Sequence, residues 1–348
     1  MTCALPIEAA ASAEVSLERG VSPALDAIVA DERHLFLRRA WFAGADGPSA
    51  ATLVVRRPGA RSVAALPTVP AGTPLLGLRA VPGPYWPFRS FPAAAASDAD
   101  LAALLTAPLA REALGRAWRL GPVFEQDPTL VRLRRVAPAC GFTVLTRPAG
   151  TSWALDLAEA RATGSWPKPS TLKNIARHEK KLARLGEPSF REVSGEGWTS
   201  DAFDALASIE RNAWHGSRAG ADPKFVDPAM RRSWELAAAD PAIASMMTAG
   251  ILSVGGEPVA FSFGVESGRT RYCIATSYDS RFPRHSLGYL ACYKTYIAAA
   301  GRGIERLSLG VGDGGEKSSM GAAPEGDLVD CLFVRGRLLA SALRLLWR

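Results

Sequence analysis

The clearest pattern of hydrophobic and polar positions lies between residues 245 and 321. Three apolar stretches, 246–254, 259–265 and 270–279, are interrupted by Gly255-Gly256-Glu257-Pro258 and by Glu266-Ser267-Gly268-Arg269. Such interruptions predict an antiparallel meander with two short turns. The loop 280–288 then opens a helix of about thirteen residues that stops at Gly301 and Gly303. A strand over 306–309 and the turn Gly310-Val311-Gly312-Asp313-Gly314-Gly315 follow.

An echo of this pattern occurs earlier in the chain. Arg38-Arg39-Ala40-Trp41-Phe42 is repeated in outline by Arg211-Asn212-Ala213-Trp214-His215, each at the end of an amphipathic helical stretch. Each precedes a hairpin, 51–57 with 63–69 and 246–254 with 259–265. After its hairpin the first half is rich in proline (Pro74, Pro82, Pro84, Pro87, Pro92) and has no Ser-x-Gly loop opening a helix. A length of 348 residues favours two domains, placed at 1–160 and 161–348 with 161–169 as the linker between them.

Composition adds limits. The chain is 48% hydrophobic and 22% charged, as expected of a globular protein. Its cysteines, at 3, 140, 273, 292 and 331, are odd in number and form no CxxC pair, so neither a disulfide framework nor a zinc site is expected, and a reducing cytoplasm fits. The four histidines lack metal-ligand spacing. Residues 1–20 lack the basic start and sustained apolar run of a signal peptide, and no uninterrupted apolar run reaches a membrane-spanning length. Of the net charge of +7, almost all falls between Arg161 and Arg191, where eight Lys/Arg face two Glu. A helix over 170–185, capped by Ser170, carries Lys173, Arg177, Lys180, Lys181 and Arg184. That face is either simply solvated or a contact for an anionic partner.

Five features together resemble a known family: Tyr278-Asp279 at a strand end, Ser286-Leu287-Gly288 opening a helix, 298–303 ending it, Gly310-Val311-Gly312-Asp313, and the pair Glu316-Lys317. They are similar to the GNAT acyltransferases, in particular the double-domain CelD/BcsL-like acetyltransferases associated with cellulose and exopolysaccharide synthesis, and more distantly to FemAB-like aminoacyl transferases. Leu287 stands where that branch usually has Pro, and Glu316 where it has Tyr. Trp153-Ala154-Leu155-Asp156-Leu157 followed by the basic helix extends the resemblance upstream. It implies an α+β fold of tandem GNAT-like domains, each a central, mostly antiparallel sheet flanked by helices, the first degenerate and the second holding acyl-CoA. It further implies direct transfer of an acyl group, acetyl first, to an amine of an envelope or exopolysaccharide precursor in the cytoplasm. One alternative is long-chain transfer to an amino lipid by an enzyme peripheral to the inner membrane. Others are a FemAB-like tRNA-dependent transferase and a non-catalytic scaffold; the chain has no long helical arm of the FemAB kind, which counts against a nucleic-acid partner.

The residue chemistry supports the acyl-CoA expectation. A pyrophosphate needs converging N–H donors and positive potential, both supplied by a helix N-terminus. Arg281 and Arg284 can pair with phosphate oxygens, Gly288 allows close backbone approach, and Ser286, Leu287 and Tyr289 complete the loop. For amide formation a base is needed, and Asp313 is the first choice with His215 second, although an Asp in a Gly-rich turn is often only a turn residue. Tyr278 is placed to protonate the leaving thiolate. Trp214 and Lys317 are expected to bind the acceptor, an amino sugar or amino lipid. Cys273 and Cys292 read as small hydrophobes rather than nucleophiles. Over 334–348, leucines beside arginines form an amphipathic helix that packs on the last sheet or rests on an anionic membrane.

Overall fold

The computed structural model describes residues 13–28, 30–59, 61–72, 77–84, 88–213, 223–282 and 286–347. Twelve strands form one sheet: β1 (Glu14–Arg19), β2 (Ala51–Arg56), β3 (Ser62–Pro70), β4 (Leu78–Ala80), β5 (Ala117–Phe124), β6 (Phe142–Asp156), β7 (Pro188–Val193), β8 (Met247–Val254), β9 (Glu257–Ser267), β10 (Thr270–Tyr278), β11 (Arg306–Val311) and β12 (Ala323–Arg335). They run in the order β1-β2-β3-β4-β5-β12-β6-β11-β10-β9-β8-β7. Only β4 with β5 and β10 with β11 pair in parallel; the other pairings are antiparallel. The protein is thus a mixed α+β fold built on a large, mostly antiparallel sheet flanked by helices.

Read inward from its two edges, the sheet has the same plan twice. Three strands lead to a parallel pair, β4 with β5 on one side and β10 with β11 on the other, and each array ends on a long strand. Those long strands are exchanged in chain order: β6, from residues 142–156, lies against β11, while β12, from 323–335, lies against β5. β6 and β12 also pair with each other from Phe142↔Arg335 to Ala154↔Ala323, closing the two arrays into one surface.

The hairpins fall where the apolar pattern places them, with β8 and β9 turning at Gly255 and Gly256, both at positive φ. In the second half, alternation divides the side chains between two layers. Ala249, Ile251, Phe261, Phe263 and Tyr272 join a core under the Ser200–Asn212 and Pro228–Ala238 helices. Leu252, Val254, Val259 and Leu307 meet the Leu287–Gly301 helix on the other face. That helix has Lys294 as its only charged residue and buries Leu287, Leu290, Ala291, Tyr293, Tyr296 and Ala299; such all-round apolarity belongs to a covered helix. It ends as Gly303, at φ 93, lets the Ile304 N–H reach back to Ala299 O (3.1 Å).

Two local expectations need correction. The basic helix runs Pro169–Leu182 with Lys168 as its N-cap and Pro169 at its first position, so Ser170 does not cap it; proline supplies the fixed φ a first turn needs. Arg39–Phe42 is a single helical turn with Trp41 and Phe42 buried, unlike the thirteen-residue helix that ends at Asn212. The last helix, Arg337–Leu346, packs Ala340, Leu339, Leu343 and Trp347 on the sheet, yet leaves Leu338, Leu345 and Leu346 at 90%, 68% and 77% exposure.

Candidate active site

The parallel partners β10 and β11 hold together over three pairs only, ending at Tyr272↔Ser308. Beyond that point each strand keeps one neighbour. β10 stays on β9 through a bulge between Cys273 and Ala275, and β11 stays on β6 through another between Ser308 and Gly310. Bulges bend and twist a strand, so the two diverge. Burial follows the split: Thr270, Arg271 and Tyr272 are buried, whereas Cys273, Ile274 and Ala275 are half-buried and Thr276 is exposed. On the other lip, Leu309, Gly310 and Val311 are half-buried. A strand interior to a sheet thus turns backbone N–H and C=O groups into an open gap, where they need partners.

Beside this gap lies the N-terminus of the Leu287–Gly301 helix. Ser286 occupies the N-cap in the left-handed region (φ 51, ψ 40), and its side chain makes no capping hydrogen bond. Leu290 N–H bonds Ser286 O (3.0 Å), but the N–H groups of Leu287, Gly288 and Tyr289 meet no acceptor among the described residues. Three donors and the positive end of a fifteen-residue helix converge there. Gly288 serves a packing need as well, since a Cβ at that position would lie 3.2 Å from the Tyr278 ring. Tyr278 is therefore half-buried against the helix start. Tyr289 turns the other way, 4.6 Å from Tyr293 and 6.2 Å from His178 between ring centroids, joining this helix to the basic one.

Several expected site residues have other tasks here. Arg281 grips Asp279 through Nε (2.9 Å) and Nη2 (2.6 Å) and also reaches Glu257 (2.6 Å). Asp279 is fully buried; burial would raise its carboxyl, but Arg281 outweighs that and holds it below the usual range. With two carboxylates on it, Arg281 braces the strand end rather than offering itself to a phosphate. Asp313 accepts from Gly315 N (2.9 Å), Lys317 N (2.9 Å) and Ser318 N (3.3 Å). Its hydrogen bonds with Ser318 and the backbone keep its carboxyl below the usual range, an arrangement suited to holding the turn and poorly suited to taking a proton. Lys317 Nζ donates to Gly310 O (2.9 Å) and Val311 O (3.0 Å), so it closes the carbonyls at the free end of β11 at the lip of the gap. Burial lowers its pKa. Trp214, His215 and Arg284 lie outside the described residues.

The Cys273 thiol on the helix side of the gap is not activated. Burial pushes Cys273 up to about 11, and Cys292 shares a 3.3 Å hydrogen bond with Thr276 Oγ1. Sequence reasoning missed the polar cluster on the opposite side. Glu325, on β12, accepts from Arg33 (3.0 Å), Arg306 (3.1 Å), Ser152 (3.1 Å) and Ser308 (2.6 Å) with its side chain only 3% exposed. These five residues come from four distant parts of the chain, so no local pattern could have announced them. Among the described residues, no group of three His, Cys, Asp or Glu side chains is placed to hold a metal.

A strand pair that splits beside an uncapped helix start defines a class of protein in which an extended, amide-bearing substrate can lie in a sheet. Residues 169–318 match the acetyltransferase (GNAT) domain family, a span that opens at the basic helix and closes just after Lys317. Among solved structures, the chain is similar to the C-terminal domain of a putative lysylphosphatidylglycerol synthetase from Agrobacterium fabrum, with 14% identity, TM-score 0.53 and 91% of each chain covered. It is similar also to L-PGS from Bacillus licheniformis (11% identity, TM-score 0.51, 82% of this chain and 85% of that one) and to FemX (10%, 0.53, 86% and 90%). At such identities these likenesses concern the fold. No curated protein sequence matches the chain.

Proposed function

We propose that the protein is an acyl-CoA-dependent N-acyltransferase that moves an acyl group, acetyl first, directly to an amine of an envelope or exopolysaccharide precursor. One observation carries this reading: β10 loses its parallel partner after Tyr272 at the place where the N–H groups of Leu287, Gly288 and Tyr289 have no acceptors among the described residues. Freed strand amides suit the amide-bearing arm of CoA, and the helix start suits its pyrophosphate, with Arg284 on the preceding loop. Arg281 is engaged elsewhere, so the backbone carries more of the phosphate binding than the sequence suggests. Lys317, at the lip of the gap, has one ammonium N–H left after its two carbonyl bonds and is the candidate to bind the acceptor. Tyr278 remains the candidate donor to the leaving thiolate. The loss of CoA binding from the first half belongs to this same reading, with the division at residue 160 a division of the chain that the exchanged strands β6 and β12 cross.

A second reading rests on two exposed surfaces. Lys173, Arg177, Lys180 and Lys181 are exposed on the basic helix with no carboxylate paired to them among the described residues, and the last helix exposes Leu338, Leu345 and Leu346 beside Arg337 and Arg344. These surfaces favour an amino lipid at an anionic membrane, and the basic one also favours a charged tRNA as donor. No helix among the described residues is long and apolar enough to cross a membrane.

Thermal shift with acetyl-CoA, palmitoyl-CoA and aminoacyl-tRNA separates these readings, because a ligand stabilises the state that binds it. Acetyl-CoA should raise the melting temperature, and Arg284→Glu should weaken its binding by more than about tenfold in calorimetry. A shift with charged tRNA alone would overturn the acyl-CoA assignment.

A further inference from the structure

The two lips of the gap meet at its closed end in a small cavity, lined from β10 by Tyr272 and Cys273 and from β11 by Ser308 and Gly310. Its other walls include Phe88 and Phe124, from the first half of the chain, and Leu328 on β12. The space takes about one water-sized group. Its walls are fixed by their own partners. The Phe88 ring stands edge-on to Tyr272 at 4.4 Å and to Phe36 at 5.2 Å, and Tyr272 Oη donates to Arg33 O (3.0 Å). Arg33 in turn lies over the Phe124 ring at 5.6 Å while its guanidinium holds Glu325 (3.0 Å). Phe124 and Leu328 face each other as register partners on β5 and β12. The Ser308 hydroxyl gives its hydrogen to Glu325 (2.6 Å), so the wall is mainly apolar and suits a methyl better than a water.

Position along the strand decides what reaches this cavity. The helix start lies against Tyr278, a Cβ at Gly288 being only 3.2 Å from its ring, and Cys273 is five residues back along β10. At about 3.3 Å per residue that is roughly 16 Å, the reach of an extended phosphopantetheine arm. A donor with its pyrophosphate at the helix start and its arm along β10 therefore brings its thioester to the closed end of the gap. Resting on the acyltransferase reading above, we propose that the first half of the chain sets the acyl length: Phe88 and Phe124, with Leu328, wall a pocket that receives the methyl of an acetyl thioester and stops longer chains. Close-packed walls do not yield to added methylenes without pushing rings off their partners. The half to which no donor site is assigned thus measures the donor held by the other. A palmitoyl donor has no room along this path, whichever amine accepts.

The test titrates the full chain by calorimetry with CoA, acetyl-CoA, butyryl-CoA and hexanoyl-CoA. Wild type should bind butyryl-CoA at least about tenfold more weakly than acetyl-CoA, and hexanoyl-CoA no better than butyryl-CoA. Phe124→Ala removes one wall and should bring butyryl-CoA within about threefold of acetyl-CoA. Should that variant melt more than about 5 °C below wild type, Leu328→Val, which opens the same cavity by a single carbon, is read instead with propionyl-CoA. Hexanoyl-CoA binding wild type within about threefold of acetyl-CoA overturns the proposal. So does a folded Phe124→Ala or Leu328→Val protein that keeps the wild-type discrimination. If wild type binds neither CoA nor acetyl-CoA, the acyltransferase reading itself falls and this inference falls with it.

Discussion

The two parallel strand pairs of the sheet are built alike and end differently. β4 meets β5 over Leu78↔Ala117 to Ala80↔Arg119, and β10 meets β11 over Thr270↔Arg306 to Tyr272↔Ser308, three pairs each. In the first half the chain leaves the sheet at once, with Val81 N–H still bonded to Arg119 O (3.0 Å) and Gly121 N–H to Arg89 O (3.0 Å), so returning backbone covers β5. In the second half β10 continues for six more residues, still paired with β9 but with no strand paired to it on the β11 side among the described residues. The crossover helices differ in the same sense. The Asp98–Thr106 helix starts with a complete capping box, Ser97 and Asp100 each accepting the other's backbone N–H, with Arg57 on Asp100 as well (2.5 Å). The Leu287–Gly301 helix starts with no side-chain cap. One array thus satisfies these polar groups internally and the other leaves them open among the described residues, and the proposed placing of the donor site in the second half rests on that difference.

The largest test of this comparison concerns the exchanged strands. A fragment ending at residue 160 would keep β6 but lose β12, whose residues Leu328 to Val334 are buried between β5 and β6. The loss strips a central strand from both neighbours, more than the roughly 5–15 kcal/mol that holds a domain together. Circular dichroism and amide dispersion in NMR should show no cooperative fold for 1–160. A cooperatively melting fragment would mean that the halves are more independent than their strand exchange implies.

Next in size is the contrast between the two ends of β10. Arg271 is 0% exposed and pairs with Glu266 (2.9 Å) and Thr248, whereas Thr276 is exposed in the gap. Arg271→Ala should cost about 3 kcal/mol by removing a buried ion pair and leaving Glu266 with only Thr248 and the more exposed Arg302. Thr276→Ala should stay within about 0.5 kcal/mol. Urea titrations at neutral pH check both. Burial would raise the Glu266 carboxyl, yet Arg302 and Arg271 hold it below its usual range. Its contribution is therefore full above the ordinary carboxylate range and is lost as pH falls through the lowered value, so Arg271→Ala should also flatten the acid limb of stability.

Legibility in the sequence followed the range of the interactions. The β8–β9–β10 meander, the apolar helix after it and the hairpin of β2 and β3 are local patterns, and periodicity with glycine turns located each of them. The exchange of β6 and β12 was invisible, because register between strands some 180 residues apart leaves no local mark. At the site, the uncapped helix start was legible from Ser286-Leu287-Gly288, but the partners of charged residues were not. Arg281 looks like a phosphate ligand until Asp279 is seen buried beside it, and Asp313 looks like a base until its carboxylate is counted against three backbone donors. Phe88 and Phe124 drew no notice because the residues they meet at the gap, Tyr272 and Leu328, lie in the other half of the chain.

The smallest test compares the two helix starts directly. Ser97→Ala removes the hydroxyl that accepts from Asp100 N (3.2 Å) and bonds its carboxylate (2.8 Å), which should cost about 1 kcal/mol. Ser286 has no such bond to lose and sits at φ 51, a region that disfavours any side chain, so Ser286→Gly should be neutral or gain up to about 1 kcal/mol. Thermal melting of the two variants gives the stability half of the test, and acetyl-CoA calorimetry gives the other. Binding should survive Ser286→Gly because the N–H donors of Leu287, Gly288 and Tyr289 remain. Were Ser286→Gly to destabilise the protein as much as Ser97→Ala does, the second helix would have an intramolecular cap after all, and the asymmetry that assigns the donor site to it would lose its physical basis.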